Sequence, residues 1–341
     1  MSCMSRNVKL DNCKFLLILL VVFGHFLQSS DSCEFEKRIL LLLYSFHLPA
    51  FIFLTGLFSK KAILGEKYYK TFEFLYLFIT VKIISFCPRL IWKRKTTFSF
   101  VNIADVSWYA FAVFIFYILT FCVVQLQLSL LKVVFFSIVI ACFCGYSIEI
   151  GTFFSLNRII TFYPFFLIGF CSNEEWLMNI TQKKIAKALA TLCLSLAVAF
   201  FFFGGKGIIN QYDLYISLFK GKESYVILGQ YKVYGALLRL IWYFMAFTLQ
   251  ICFIIISPGG RCFFTNMGRR TVAVYAFHPF VKYLLFNILD FGAWLKELST
   301  GYHLLAVVAI SMVVVCLLSL PPFDWVIKRI IMTRERKRRD G

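Results

Sequence analysis

Ten apolar stretches, each near the length needed to cross a bilayer, leave this chain little room to fold as anything but a set of packed helices in lipid. They run near 14–29, 39–58, 72–91, 107–124, 130–148, 153–171, 185–203, 236–256, 271–289 and 303–320. A hydrocarbon core takes roughly 20 residues of helix, with a working range of about 17–25. Backbone polar groups inside lipid must be satisfied within the segment, which selects helices. The expected fold class is therefore all-α, a polytopic membrane bundle of about ten transmembrane helices. A mean hydropathy of +0.79 and 42 Phe put the composition outside the soluble range. The first stretch runs on without a cleavage site, since Gly24-His25 suits none, so it is expected to stay in the mature chain.

The net charge of +19 is carried between and beyond the apolar runs. That distribution points to membrane lipids as the partner of the basic residues and excludes nucleic acid as the leading reading. An even number of spans puts both termini on one side, and the larger share of Lys and Arg falls there. Both termini are therefore expected in the cytoplasm, against the local exception of Lys93, Arg94 and Lys95. The run Arg334–Arg339 reads as a solvated basic tail. The twelve Cys are scattered with no CxxC pair, so neither a metal site nor a disulfide framework is expected. Residues 204–235 form the longest polar connection and fall on the outer side, where a lid or binding segment is one reading and a mobile loop the other.

Ionisable residues inside such spans are costly and mark candidate sites. His25 follows Lys14 by eleven residues. At about 100° per residue this is about 20° from eclipsed, with a rise of about 16 Å. Lys14 and His25 thus share a helix face, one near the membrane surface and one inside. Asp11 lies one turn before Lys14 and is positioned to pair with it, about 21 Å below His25. Lys14 alternatively snorkels to headgroups. A neutral imidazole can serve as a general base for a hydroxyl, or it can simply bond a neighbouring helix. His47 precedes Pro49, whose missing N–H frees the carbonyl of Ser45 and opens a turn; donation from His47 to such a carbonyl is its structural alternative. His278-Pro279 repeats the pattern, and His303 at a helix start reads as interfacial. Thr55-Gly56 suits a close helix contact. Lys67 and Lys70, one turn apart on the cytoplasmic side, can hold phosphates or merely follow the charge bias. Arg158 opens an outer-side span, where that bias gives no reason for it, ahead of Tyr163-Pro164-Phe165. GxSxG, Walker-type, HExxH and DxD patterns are missing, as are paired membrane carboxylates.

In order along the chain, LDNCKFLLILLVVFGHF, SFHLPAFIFLTGLFSKK, KYYK, SWYAFAVFIFYIL, NRIITFYPFFLIG and VYAFHPF resemble the acyltransferase-3 family of membrane O-acyltransferases, particularly its fucose 4-O-acetylase-like branch. The similarity covers essentially the whole chain, as one domain over 1–341 with its spans within about 14–320 and a basic tail from 321. It implies transfer of an acyl group, usually acetyl, from cytoplasmic acyl-CoA to a hydroxyl of a glycan or lipid-linked sugar, with no bound cofactor. Location in a bacterial inner membrane goes with it. His25 would be the essential histidine with Lys14 its basic partner and His47 a second catalytic candidate. Lys67 and Lys70 would bind the donor. Asp11, Trp108, Arg158 and His278 would support the site or hold the acceptor. Lysines stand where the family often has arginine, and lysine lacks the bidentate fork. The competing class is a transporter or flippase for lipid-linked glycans, which predicts ionisable residues spread through several central helices. Few stand there beyond Lys82, Arg239 and Lys282.

Overall fold

The computed structural model describes residues 7–30, 33–93, 99–100, 103, 105–150 and 153–332; Asp31, Arg94, Lys95 and the Arg334–Arg339 run lie outside them. The described chain is helical, without a β-strand. Its helices are α1 Val8–Leu27, α2 Glu34–Ile63, α3 Tyr69–Lys93, α4 Trp108–Gln125, α5 Leu130–Cys144, α6 Leu156–Cys171, α7 Glu174–Gln182, α8 Lys184–Phe203, α9 Lys206–Asn210, α10 Tyr212–Lys220, α11 Gly235–Ile256, α12 Thr271–Tyr283, α13 Phe291–Lys296, α14 Thr300–Leu318 and α15 Pro321–Ile331.

Each of the ten expected spans coincides with one of these, and seven helices are long and apolar enough to cross a bilayer. The others fall short for local reasons. Fifteen-residue α5 and sixteen-residue α6 flank the interruption at Gly145 that separates them. At about 1.5 Å per residue neither covers a hydrocarbon core of about 30 Å. α12 is extended by a π turn over Leu284–Ile288.

The long helices alternate in direction, so their connections gather at two faces. On the N-terminal face, Lys9 Nζ donates to the carbonyls of Ile255 (2.8 Å) and Ser257 (2.6 Å), and Asn12 Nδ2 donates to those of Pro258 (2.9 Å) and Gly260 (2.8 Å). The start of α1 is thereby fastened to the end of α11. On the opposite face, Arg38 donates to the carbonyl of Phe201 at the end of α8, and Asn157 to that of Glu223.

Between the faces, α2 and α6 cross almost backbone to backbone. A Cβ added to Gly56 would stand 2.0 Å from the carbonyl oxygen of Phe166, and one added to Gly169 the same distance from that of Phe53. Thr55-Gly56 is thus the close contact its composition suggested. Around it Phe116, Phe162, Phe165, Phe166 and Trp242 are buried and fill the core. Small residues permit this approach, and in lipid, packing contacts of this kind drive helix association.

Two connections differ from their sequence reading. Residues 204–235 are not an open loop: they form α9, α10 and a 3₁₀ segment over Tyr225–Tyr234. Tyr225 seats there because its ring covers Gly145 and Gly235, and its hydroxyl donates to the carbonyl of Cys142 (2.8 Å). The segment from 321, read as part of a basic tail, begins with α15, which buries Ile327 and Ile331 against the bundle. Pro321 and Pro322 start that helix because its first N–H groups need no partner inside it.

Replacing Gly56 with Ala forces the α2–α6 backbones apart. The expected cost is about 1–3 kcal/mol, seen as a lowered thermal midpoint of the purified protein, whereas Ala at the open Gly207 leaves the midpoint in place.

Candidate functional site

A cavity of about 420 Å³ lies toward the face opposite the N-terminus, within the size range of small-molecule sites. Seven helices build its wall, α3 contributing Ser85 and Arg89. α1 contributes Ile18 and His25, α2 contributes Tyr44, His47 and Phe51, α4 begins with Trp108 and Tyr109, α6 brings Arg158 near its first turn, and α12 brings Tyr275, His278 and Lys282. Lys220 and Lys222 close the wall from the end of α10.

The three imidazoles arrive from three different helices. His25 and His278 stack with ring centroids 5.5 Å apart and an interplanar angle of 20°. His47 meets the ring of Tyr44 edge-on at 4.9 Å. Nδ1 of His47 lies 2.5 Å from the carbonyl oxygen of Leu43, and Nδ1 of His278 lies 3.0 Å from that of Val274. A carbonyl oxygen only accepts, so each Nδ1 carries a hydrogen. The neutral ring then keeps its lone pair on Nε2. Nε2 of His278 is buried without a hydrogen-bond partner. The ring of half-buried His25 has no hydrogen-bonding neighbour among the described residues, so both its nitrogens remain available to a ligand. Donation from His47 to a helix carbonyl, the structural alternative raised by its sequence, is present; it coexists with a ring that lines the cavity.

Cations outnumber carboxylates in this wall. Arg89, Arg158, Lys220, Lys222 and Lys282 face a single carboxylate, that of Asp105. Asp105 is already engaged by Lys82 at 2.8 Å, and by the backbone N–H and hydroxyl of Ser107. Burial works against its charge, but these donors outweigh it and hold the carboxyl below the usual range. The guanidinium of Arg158 stands 4.9 Å from the Trp108 ring centre, and the ammonium of Lys220 the same distance from that of Tyr44. Burial, then repulsion from Arg158, Lys222 and Lys282, pushes the Lys220 ammonium down to about 8, with Asp213 acting the other way.

The structure separates the sequence candidates into two groups. His25, His47, Trp108, Arg158 and His278 share the cavity wall. Asp11, Lys14, Lys67 and Lys70 stand at the N-terminal face, outside that wall. Lys14 pairs with Asp11 at 2.7 Å, the pairing their spacing suggested, and rests over the ring of Phe58. Asp11 also meets Arg269 at 3.3 Å, and the backbone of Gly268 packs against its carbonyl. Lys70 pairs with Glu73 at 2.8 Å, while Lys67 is exposed. His303 is not interfacial: it is buried and pairs through Nδ1 with the carboxylate of Glu36, joining α14 to the start of α2. Sequence reasoning missed Arg89, Lys220 and Lys222 as lining. The usable signals were the lysine inside the twelfth helix and the basic residues gathered on the side where the charge bias supplies no reason for them.

Because the folded-state value of Lys220 lies below its ordinary 10.5, its charge penalises folding fully below about pH 8, and the penalty fades as pH rises toward 10.5. The thermal midpoint of the wild-type protein relative to Lys220→Met is expected to rise between pH 7.5 and 9.5. A flat difference across that window would remove the buried ammonium.

A family model described as an acyltransferase domain matches residues 7–320. Neither a curated protein nor a solved structure matches the chain. A match over nearly the whole length, on an all-helical bundle with these spans, settles the family: the chain belongs to the acyltransferase-3 family of integral membrane acyltransferases.

Proposed function

We propose that this protein transfers an acyl group, most simply acetyl, from acyl-CoA to a hydroxyl of a cell-surface or lipid-linked glycan, with His25 as general base. The observation that carries the reading is the convergence of three imidazoles on one cavity in a chain of this family. His25 is the base because no neighbour occupies its ring nitrogens, whereas His47 and His278 each spend Nδ1 on a helix carbonyl. Those two offer Nε2 as acceptors to hydroxyls of the acceptor, with Trp108 and Arg158 shaping the adjoining wall.

In the step proposed, His25 takes the proton of the acceptor hydroxyl as its oxygen bonds to the thioester carbonyl carbon. The carbon–sulfur bond then breaks, and the leaving thiolate takes the proton from the imidazolium. An ester and free CoA result, so atoms and charge balance. Orientation with both termini in the cytoplasm of a bacterial inner membrane places Lys14, Lys67 and Lys70 on the donor's side, to meet its phosphates. Lys14 lies one turn below Ile18, where the cavity stops beside Phe51 and Tyr109, and Thr55 holds the Tyr109 hydroxyl at 2.7 Å. A thioester arm arriving beside Lys14 reaches His25 only when that layer parts. The fucose 4-O-acetylase-like branch gives the closest expectation for the acceptor, a sugar hydroxyl.

The test incubates membranes with acetyl-labelled coenzyme A and extracted glycolipids. His25→Ala is expected to lower label transfer by about 10²–10⁴-fold, the usual worth of a positioned acid–base group. Transfer at the wild-type rate would take His25 out of the chemistry. Absence of transfer by the wild type to every glycan offered would favour the glycolipid flippase.

A further inference from the structure

The cavity that holds the imidazoles is not electrically closed. Arg158 is 8% exposed, its Nε is buried without a hydrogen-bond partner, and among the described residues its guanidinium makes no ion pair. The Trp108 face and the Lys220 ammonium stand beside it, and the two carboxylates that bear on it, Glu223 and Asp105, are engaged by Lys222 and by Lys82 with Ser107. Lys220 and Lys282 are likewise without an ion-pair partner among the described residues, and the carboxylate of Asp105 is occupied by Lys82 and Ser107. Elsewhere in the protein, Asp11 serves Lys14 and Arg269, and Glu34 serves Arg38. The cavity therefore departs from the pairing that the same chain achieves at several other charged positions.

An uncompensated buried cation costs free energy, and the remaining ways to relieve it are loss of the proton or arrival of an anion. Arginine does not deprotonate at physiological pH, so at Arg158 the first way is closed. A planar guanidinium, here 4.9 Å from the Trp108 ring centre, has its N–H groups in a fork, the geometry that takes two oxygens of one carboxylate or phosphate.

We infer that the acceptor is an acidic sugar, carrying a carboxylate or phosphate that lies between Arg158 and Lys220 while a neighbouring hydroxyl faces His25. This rests on the acyl-transfer reading and narrows its substrate class. A neutral hexose would leave Arg158 unanswered. The donor's phosphates are the other source of such oxygens, and they would bring the charge of CoA, instead of the acceptor's, against α6 and α10.

The experiment measures the thermal midpoint of the purified full-length protein in detergent at pH 7 with four probes at matched concentration: methyl glucuronide, glucose 6-phosphate, methyl glucoside and coenzyme A. A rise of about 2–4 °C is expected with at least one acidic sugar and none with methyl glucoside. The response should disappear in Arg158→Gln and shrink in Lys220→Met. It should also weaken as salt is raised, because the contact is ionic. Equal shifts for methyl glucuronide and methyl glucoside would overturn the inference, as would a full response in both variants. A response confined to coenzyme A would overturn it by giving these cations to the donor. Lys220 sits at the rim on a short helix, so its variant keeps the test decisive even where Arg158→Gln fails to fold. Turnover is not read here, so the two claims fail separately. An anion response without acetyl transfer sinks only the acyl-transfer reading, and transfer without an anion response sinks only this one.

Discussion

The near-contact of the α2 and α6 backbones at Gly56 and Gly169 is the constraint on which the rest of the bundle depends. Two helices that approach to the limit of their backbones have one register in which carbonyls and glycines interlock, and sliding by a residue would put a side chain into a carbonyl. That register sets the height of everything α2 and α6 carry toward the opposite face. On α2 it places Tyr44 and His47; on α6 it places Arg158. Phenylalanines along α6 then fix α4 and α11 around the crossing, with Phe116 against Phe166 and Phe165 against Trp242. α1 and α12 complete the wall with His25 and His278, and their placement is secured from the far face, where the first turn of α1 grips the carbonyls at the end of α11.

Polar groups inside lipid have to be answered within the protein, and most here are. Arg239 donates to the carbonyl of Leu218 and lies beside Tyr225 and Trp242. His303 has Glu36, and Lys82 has Asp105. Single nitrogens are left unpaired elsewhere too, at Nε of Arg239 and Nε2 of His303, but Nε of Arg158, Nε2 of His278 and the unbonded ring of His25 stand together around one cavity. Chemistry of the family's kind needs such a place: a lone pair for a hydroxyl proton, and fixed charge to hold the group that bears the hydroxyl. The separation of this cavity from Lys14, Lys67 and Lys70 also has a mechanistic meaning under the proposed orientation. Donor and acceptor would approach from opposite sides of the membrane and meet at His25, beyond the layer formed by Ile18, Phe51 and Tyr109.

Much of this was legible in the chain because the signals were local. Apolar length located ten of the helices, seven of them long and apolar enough to cross a bilayer, the spacing of Asp11 and Lys14 foretold their ion pair, and Thr55-Gly56 announced a close approach. An imidazole within a hydrophobic run marks itself by its cost, which singled out His25, His47 and His278 without any knowledge of neighbours. Harder to read was the stretch 204–235. Its Gly, Tyr and Lys content looked like an outer loop because no long periodic run organises it, and its short helices exist only through contacts such as Tyr225 on Gly145 and Gly235.

By itself the sequence determined the helical class, the places of the apolar helices and the residue types able to do acid–base work, since each follows from composition and spacing along one helix, and its ordered motifs carried the family resemblance. Only the tertiary structure decided which of those residues meet. It brought His25 to His278 across some 250 positions of chain, set Lys220 beside Arg158, and left Lys14, Lys67 and Lys70 at the other end. The physical reason is that charge balance and burial are properties of a volume: whether a cation is paired depends on every helix that borders it, and no single helix carries that information.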